Sequence, residues 1–107
     1  MPMIIKAETG RPAALCTVEK LDLRTMQHLV GGLIQPVVLD DDRCSLWCDE
    51  EGKPKRKQFN MLVPDQWGNE WDIVGDFFIC GEYEDGDAVG LTSQQATKWL
   101  TLLHNQE

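Results

Sequence analysis

Apolar residues in this chain of 107 residues occur mainly in short runs bounded by turn-forming residues, which favours a sheet of short strands. The run 76–83 is the strongest strand signal because it is rich in aromatic and other apolar residues. Another run contains Pro36, and since proline cannot donate a backbone hydrogen bond, we expect that strand at a sheet edge or bulge. We predict an antiparallel or mixed sheet of about five strands, drawn from the runs 3–7, 13–18, 33–39, 44–48, 71–74 and 76–83.

Two further segments have the spacing of amphipathic helices. The C-terminal helix is predicted to begin after Thr92, which forms a capping box with Gln95. An earlier helix is predicted to begin after Asp22 and to end at Gly31 and Gly32. In the first helix Leu23, Met26, Leu29 and Val30 form an apolar stripe at helical spacing. In the second helix the face expected to pack on the sheet is Ala96, Trp99, Leu100 and Leu103. The pattern predicts a single α+β domain over residues 1–107, with two helices packed on the sheet.

The acidic composition disfavours negatively charged binding partners. The chain has 18 acidic and 10 basic residues and a formal net charge of -8. A field of that sign repels nucleic-acid phosphates and anionic lipids, so we expect no direct nucleic-acid binding and favour a basic partner surface. No apolar run reaches the roughly 20 residues of a membrane helix, and we therefore expect no membrane partner and a cytoplasmic protein. The oligomeric state stays open.

The four cysteines are predicted to be reduced, buried thiols. No two of them have the C-x-x-C spacing that structural zinc sites use, and the two histidines lie far apart in the sequence. We therefore predict no metal and no other cofactor.

Residues 47–60, here called the charged segment, concentrate opposite charges beside Gly52. Three acids, Asp49, Glu50 and Glu51, precede four cations, Lys53, Lys55, Arg56 and Lys57. One interpretation is that the cations neutralise the acids within one hairpin. Another is that Gly52 and the basic loop 52–57 bind a small anion. Asn60 is predicted to hold this loop by a side-chain to backbone hydrogen bond and to cap a short turn or helix restricted by Pro64.

The four tryptophans separate by their sequence surroundings. Trp47 and Trp99 lie in apolar runs and are predicted to be core residues, whereas Trp67 and Trp71 border polar sequence. Either of the latter two can contribute to an exposed contact surface or can partly cover the core. No catalytic residue is assigned. The candidate residues for ligand or partner binding are Trp47, Glu50, Glu51, Gly52, Lys53, Lys55, Arg56, Lys57, Asn60, Trp67 and Trp71.

The order of several short motifs resembles an uncharacterised family. These motifs are Val30-Gly31-Gly32, Glu50-Glu51-Gly52-Lys53, Asn60, the stretch 75–81 with sequence GDFFICG, and Leu91-Thr92. In this order they resemble domain of unknown function family 3846, found in bacteriophages and bacteria. The chain departs from the family pattern where Cys48-Asp49 replaces an asparagine before the two glutamates. The resemblance implies a small accessory protein of a phage or mobile element, and it implies no catalytic residue.

Three hypotheses for function follow from these observations. The first is a small acidic, non-enzymatic binding or interaction protein that modulates a host protein. The second is sequestering of a small phosphorylated, nucleotide-like ligand by the basic loop 52–57, which suits a counter-defence protein. The third is an acidic nucleic-acid mimic that occupies a DNA-binding protein. An enzyme is less favoured than the first hypothesis because the sequence has no catalytic constellation.

Overall fold

A six-stranded antiparallel sheet forms the centre of the fold in the computed structural model, which describes residues 1–82 and 85–106. In chain order the strands are β1 Met3–Ala7, β2 Ala14–Thr17, β3 Ile34–Val38, β4 Cys44–Asp49, β5 Phe59–Pro64, β6 Glu70–Val74, β7 Phe77–Glu82 and β8 Ala88–Val89. The predicted α+β class is confirmed, while the predicted end of the run 76–83 at Tyr83 lies outside the described residues. The order across the large sheet is β2-β1-β7-β4-β3, and β8 pairs with the end of β7.

The edge position of Pro36 is confirmed, because β3 is an outer strand of the sheet. The amide of Leu39 donates to the carbonyl of Cys44, and the amide of Glu50 donates to the carbonyl of Leu33. Since hydrogen-bonded and non-bonded pairs alternate along an antiparallel ladder, Pro36 falls at a position whose backbone faces away from β4. Its missing N–H therefore removes no hydrogen bond from the ladder.

A separate hairpin of β5 and β6 corrects the prediction for Asn60. The sequence predicted a short turn or helix from Asn60, but residues Phe59–Pro64 form a strand that pairs with Glu70–Val74. Met61 and Val63 are buried and Leu62 between them is exposed, which is the period of two that a strand with one covered face requires. The strand predicted at 71–74 is also confirmed, although it belongs to this two-stranded sheet rather than to the larger one.

The two helices begin where their capping residues predict. Helix α1 spans Leu23–Val30, and the side chain of Asp22 accepts the amide of Thr25 at its N-terminus. Helix α2 spans Ser93–His104 and begins with the complete capping box of Thr92 and Gln95. Within residues 1–82 and 85–106, neither helix is long and apolar enough to cross a membrane.

The two faces of the large sheet support separate apolar layers. Along β7, Phe77 and Ile79 point to one face and Phe78 and Cys80 to the other, so this strand is buried on both sides. Helix α1 covers one face through Met26 and Val30. Helix α2 and the β5–β6 hairpin together cover the other face, contributing Met61, Val63, Ile73, Ala96, Trp99 and Leu103.

A buried carboxylate attaches α2 to the turn between β3 and β4. One oxygen of Asp40 accepts the indole N–H of Trp99 at 2.9 Å and the ammonium of Lys98 at 3.1 Å. Its other oxygen accepts the amides of Asp42 and Cys44. Burial opposes ionisation of Asp40, but the bonds from Lys98 and Trp99 outweigh it and hold the pKa of this carboxyl below its ordinary value. Trp99 is therefore a core residue, as predicted, with its one polar atom satisfied.

Three of the four cysteines are buried free thiols, as predicted, and the fourth, Cys16, is half-buried. Burial raises the pKa of Cys44 and of Cys80 to about 12. These thiols are therefore protonated at neutral pH and act as small apolar core groups. Within the described residues, no group of three His, Cys, Asp or Glu side chains is arranged to hold a metal ion.

Candidate functional site

The charged segment folds into tight turns that bring Lys57 close to Asp49, the last residue of β4. The amides of Lys55, Arg56 and Lys57 donate to the carbonyls of Glu51, Lys53 and Gly52. The amide of Gly52 donates to the carbonyl of Asp49 at 3.1 Å, so this N–H is already used within the turn. The segment is therefore closed by its own backbone bonds rather than held open as an anion-binding loop.

Asp49 is the acid around which this segment is organised. Its side chain is fully buried and its carboxylate accepts Lys57 Nζ at 2.7 Å, Lys55 Nζ at 3.0 Å and the amide of Glu51 at 2.9 Å. Burial by itself would raise the pKa of this carboxyl. The bonds from Lys57, from the Glu51 amide and from Lys55 outweigh burial and lower the pKa to about 2.

Lys57 joins this carboxylate to the end of α1. Its ammonium donates to the carbonyl oxygens of Val30 at 2.9 Å and Gly31 at 3.3 Å, while it also pairs with Asp49. The last carbonyls of a helix have no partner within the helix and carry partial negative charge. An ammonium here donates hydrogen bonds to them and also offsets that charge. We call the carboxylate of Asp49 with Lys55, Lys57 and these carbonyls the ion-pair centre.

Two glycines allow the backbone to approach the ion-pair centre. A Cβ atom on Gly32 would lie 2.5 Å from an oxygen of Asp49, and one on Gly75 would lie 2.7 Å from Cδ of Lys57. Gly75 also has a φ of 74°, which side chains disfavour. Any larger residue at Gly32 must therefore displace a carboxylate that three donors hold in place.

Asn60 makes the predicted kind of bond to different partners. Its amide nitrogen donates to the carbonyls of Ala7 at 3.0 Å and Gly75 at 2.9 Å, which tie β5 to β1 and to the turn before β7. The prediction that Asn60 holds the basic loop directly is therefore corrected. The side chain is used within the fold because β5 runs past both of these carbonyls.

Charge compensation occurs, but in a different pairing from the predicted one. Lys55 and Lys57 neutralise Asp49, whereas Lys53 pairs at 2.8 Å with Asp72 on β6. Among the described residues, Glu50 and Glu51 are exposed and have no ion-pair partner, and the side chain of Arg56 has none either. The segment therefore offers a phosphate much less free positive charge than its sequence indicates.

Four large apolar side chains of the β5–β6 hairpin are exposed to solvent. Phe59, Leu62, Trp67 and Trp71 are between 40% and 54% exposed. The strand register places Phe59 opposite Val74 and Leu62 opposite Asp72, so both lie on the face turned away from the core. We call these four side chains the exposed hairpin residues.

Asp65 fixes the tip of this hairpin. One of its oxygens accepts the amides of Trp67 and Asn69. The other accepts the Asn69 side chain at 2.8 Å and the indole N–H of Trp71 at 3.0 Å. Burial would raise the pKa of Asp65, but these bonds, led by Asn69 and Trp71, lower it to about 2. The backbone of the tip and the indole of Trp71 are thus held in one geometry.

A cleft of about 300 Å³ lies between strands β3 and β4 on one side and strand β6 on the other. Val37, Cys48, Ile73 and Val74 supply its apolar lining. Pro54 and Trp71 complete the apolar lining, and the polar lining is Gln35, Glu50, Lys53 and Asp72, together with Asp49 of the ion-pair centre. This space is called the β3–β6 cleft below.

The structure brings three of the predicted site residues, Glu50, Lys53 and Trp71, to this one cleft. Trp47 does not join them, because it lies opposite Phe78 on the α1 face of the large sheet and is half-buried there. Phe59 and Leu62 were missing from the predicted set. The alternation of exposed and buried positions along a strand at 59–64 could have predicted their exposure. That strand was not predicted because the segment was interpreted as a turn.

These elements define an α+β domain in which a buried ion-pair centre joins two sheets and a helix. The chain belongs to the family described as Domain of unknown function (DUF3846), whose model matches residues 2–104. No curated protein and no solved structure gives a significant match. The motifs Val30-Gly31-Gly32, Glu50-Glu51-Gly52-Lys53, Asn60 and Gly75-Asp76 lie far apart in the sequence but meet at or beside the ion-pair centre.

The lowered carboxyl pKa values predict that acid destabilises the protein. The bonds to Asp49 lower its pKa in the folded state from an ordinary value of 3.8 to about 2, so the folded state binds fewer protons than the unfolded state between these values. Its stabilising contribution is complete above about pH 5 and is lost as the pH falls toward 2. Denaturant unfolding between pH 7 and pH 2 measures this loss. The Asp49→Asn variant should show a shallower decline, whereas Glu51→Gln should follow the parent protein; equal declines in all three would contradict the assignment.

Proposed function

We propose that this protein is a non-enzymatic binding module that docks a protein partner through the β5–β6 hairpin. The observation that carries the proposal is the exposure of Phe59, Leu62, Trp67 and Trp71 on one hairpin of a small domain. Aromatic and apolar side chains in such positions are enriched at protein interfaces, where their burial supplies most of the binding free energy.

The rigidity of the hairpin supports the same proposal. Asp65 holds the tip through four hydrogen bonds, and Met61, Val63 and Ile73 anchor the inner face in the core. A contact surface whose backbone is already ordered loses less entropy when a partner binds. The net charge of -8 favours a partner with a basic surface, because opposite fields speed encounter.

The resemblance to phage and bacterial accessory proteins supports a host protein as this partner. In that setting the module would act in the host cytoplasm, and a role in counter-defence is one way in which such binding is used. A small phosphorylated ligand at residues 52–57 has weaker support, because Lys53, Lys55 and Lys57 are already paired with acids. The acidic mimic has no observation of its own beyond the net charge.

Affinity capture from the lysate of the host organism tests the docking surface when two double variants are compared. Phe59→Ser/Leu62→Ser should weaken retention of a captured partner by about tenfold or more, since each buried apolar anchor contributes roughly 1–2 kcal/mol. Leu15→Ser/Leu23→Ser removes two apolar side chains of similar exposure from β2 and α1 and should leave retention unchanged. Equal retention by both variants would show that the hairpin is not the docking surface.

A further inference from the structure

We infer that the β3–β6 cleft receives a lysine or arginine side chain of the partner. The inference rests on the proposed docking function, because the cleft and the exposed hairpin residues share Trp71 on β6. The cleft volume of about 300 Å³ lies at the lower end of the range of about 300–1,000 Å³ for small-molecule sites. It therefore suits one long side chain better than a nucleotide.

The apolar lining selects for the stem of that side chain. Val37 and Ile73 are buried core residues that reach the cleft from opposite sheets, and Val74 extends the same surface. The methylene groups of lysine and arginine cover apolar surface of this kind while the charged end stays near water. A short polar side chain would leave this surface uncovered.

The charges around the cleft select for a cationic end. Lys53 is paired with Asp72, and Asp49 is neutralised by Lys55 and Lys57 in the ion-pair centre. Glu50 is the one acid of the lining that pairs with no described cation. The charged side chains that line the cleft are three acids and one lysine, while Lys55 and Lys57, which offset Asp49, are not part of the lining. Glu50 is thus the charged side chain of the lining that has no described counter-ion, and its carboxylate favours a cation over an anion.

Two features of the lining support the preference for a cation. The amide of Glu50 donates to the carbonyl of Leu33 at 2.8 Å, so its backbone continues the β3–β4 ladder and is fixed. The indole of Trp71 also lines the cleft, and its orientation is set by the bond to Asp65. An aromatic ring attracts an ammonium or guanidinium, which adds to the attraction of the carboxylate.

Titration of the isotope-labelled protein with Nα-acetyl-lysine methylamide tests this inference by NMR. Saturable shifts are expected at the amides of Gln35, Val37 and Val74, which line the cleft. The norleucine analogue has a similar apolar stem but no ammonium, and it should bind about fivefold more weakly, the scale of one exposed charge pair with a cation–π contact.

Two matched variants test whether Glu50 supplies the carboxylate that attracts the lysine probe. Glu50→Gln should reduce affinity for the lysine probe about fivefold, whereas Glu51→Gln removes the same charge from the neighbouring exposed residue and should change it little. Equal affinity for lysine and norleucine, equal effects of the two variants, or no saturable shift at the cleft would each overturn the inference.

This titration uses no protein partner, so its outcome is independent of the capture experiment. If Phe59→Ser/Leu62→Ser loses capture but the lysine probe gives no response, the hairpin remains the proposed docking surface. The inference that the cleft binds a cationic side chain is then rejected. A lysine response without that loss of capture would reject the hairpin as the docking surface.

Discussion

Replacing Asp49 by alanine is expected to lower the free energy of unfolding by about 3 kcal/mol, the scale for breaking a buried ion pair. The change leaves the ammonium of Lys57, whose side chain is only 24% exposed, without its counter-charge. It also removes the acceptor of the Glu51 amide. Urea or guanidinium unfolding at neutral pH, followed by tryptophan fluorescence, measures the difference.

The matched control for this change is Glu51→Ala. Glu51 lies in the same turn, is exposed and has no ion-pair partner among the described residues, so its replacement should cost less than about 0.5 kcal/mol. A loss at Asp49 no larger than the loss at Glu51 would mean that the ion-pair centre does not stabilise the fold.

Replacing Gly32 by alanine is expected to cost about 2 kcal/mol, although only one methyl group is added. The new Cβ would lie within 2.5–2.7 Å of all three carboxyl atoms of Asp49, and those atoms are held by Lys55, Lys57 and an amide. Relief of the clash requires the carboxylate to move, which weakens both ion pairs. Unfolding measurements under the same conditions test this expectation.

A double-mutant cycle separates this clash from other effects of alanine at position 32. In the Asp49→Ala background the opposing carboxylate is absent, so Gly32→Ala should cost well under about 1 kcal/mol there. Additive losses in Gly32→Ala/Asp49→Ala would contradict the proposed contact. A strongly non-additive result would locate the cost of Gly32→Ala at this carboxylate.

The ion-pair centre changes the interpretation of the charges in the charged segment. Four cations in five residues suggest an anion site when only the sequence is considered, but Lys57 binds the end of α1 and Lys53 binds β6. Their main effect is to join the two sheets and the first helix around Asp49. Among the described side chains of the segment, Glu50, Glu51 and Arg56 have no ion-pair partner, and of these three Glu50 lines the β3–β6 cleft.

Local signals predicted the helices well. Asp22, Thr92 and Gln95 cap α1 and α2 as expected, because a capping side chain binds backbone groups only two or three residues away. The strand of Pro36 was also placed correctly at an edge, since the missing N–H of proline is a property of that residue alone.

The candidate site was predicted only in part. Glu50, Lys53 and Trp71 do meet at one cleft, whereas Asn60 serves the fold and Trp47 lies on the opposite face of the sheet. Phe59 and Leu62 were overlooked because proline and asparagine in 59–64 favoured a turn. Pairing with Glu70–Val74 overrides that local preference.

The sequence by itself determined the α+β class, the two capped helices and the concentration of charge in residues 47–60. Each of these depends on residue type and on spacing over a few positions. Only the tertiary structure decided which cation meets which acid and which apolar side chains stay exposed. Lys57 reaches Val30 across 27 positions of sequence and Lys53 reaches Asp72 across 19, and such contacts depend on how strands are ordered across the sheets.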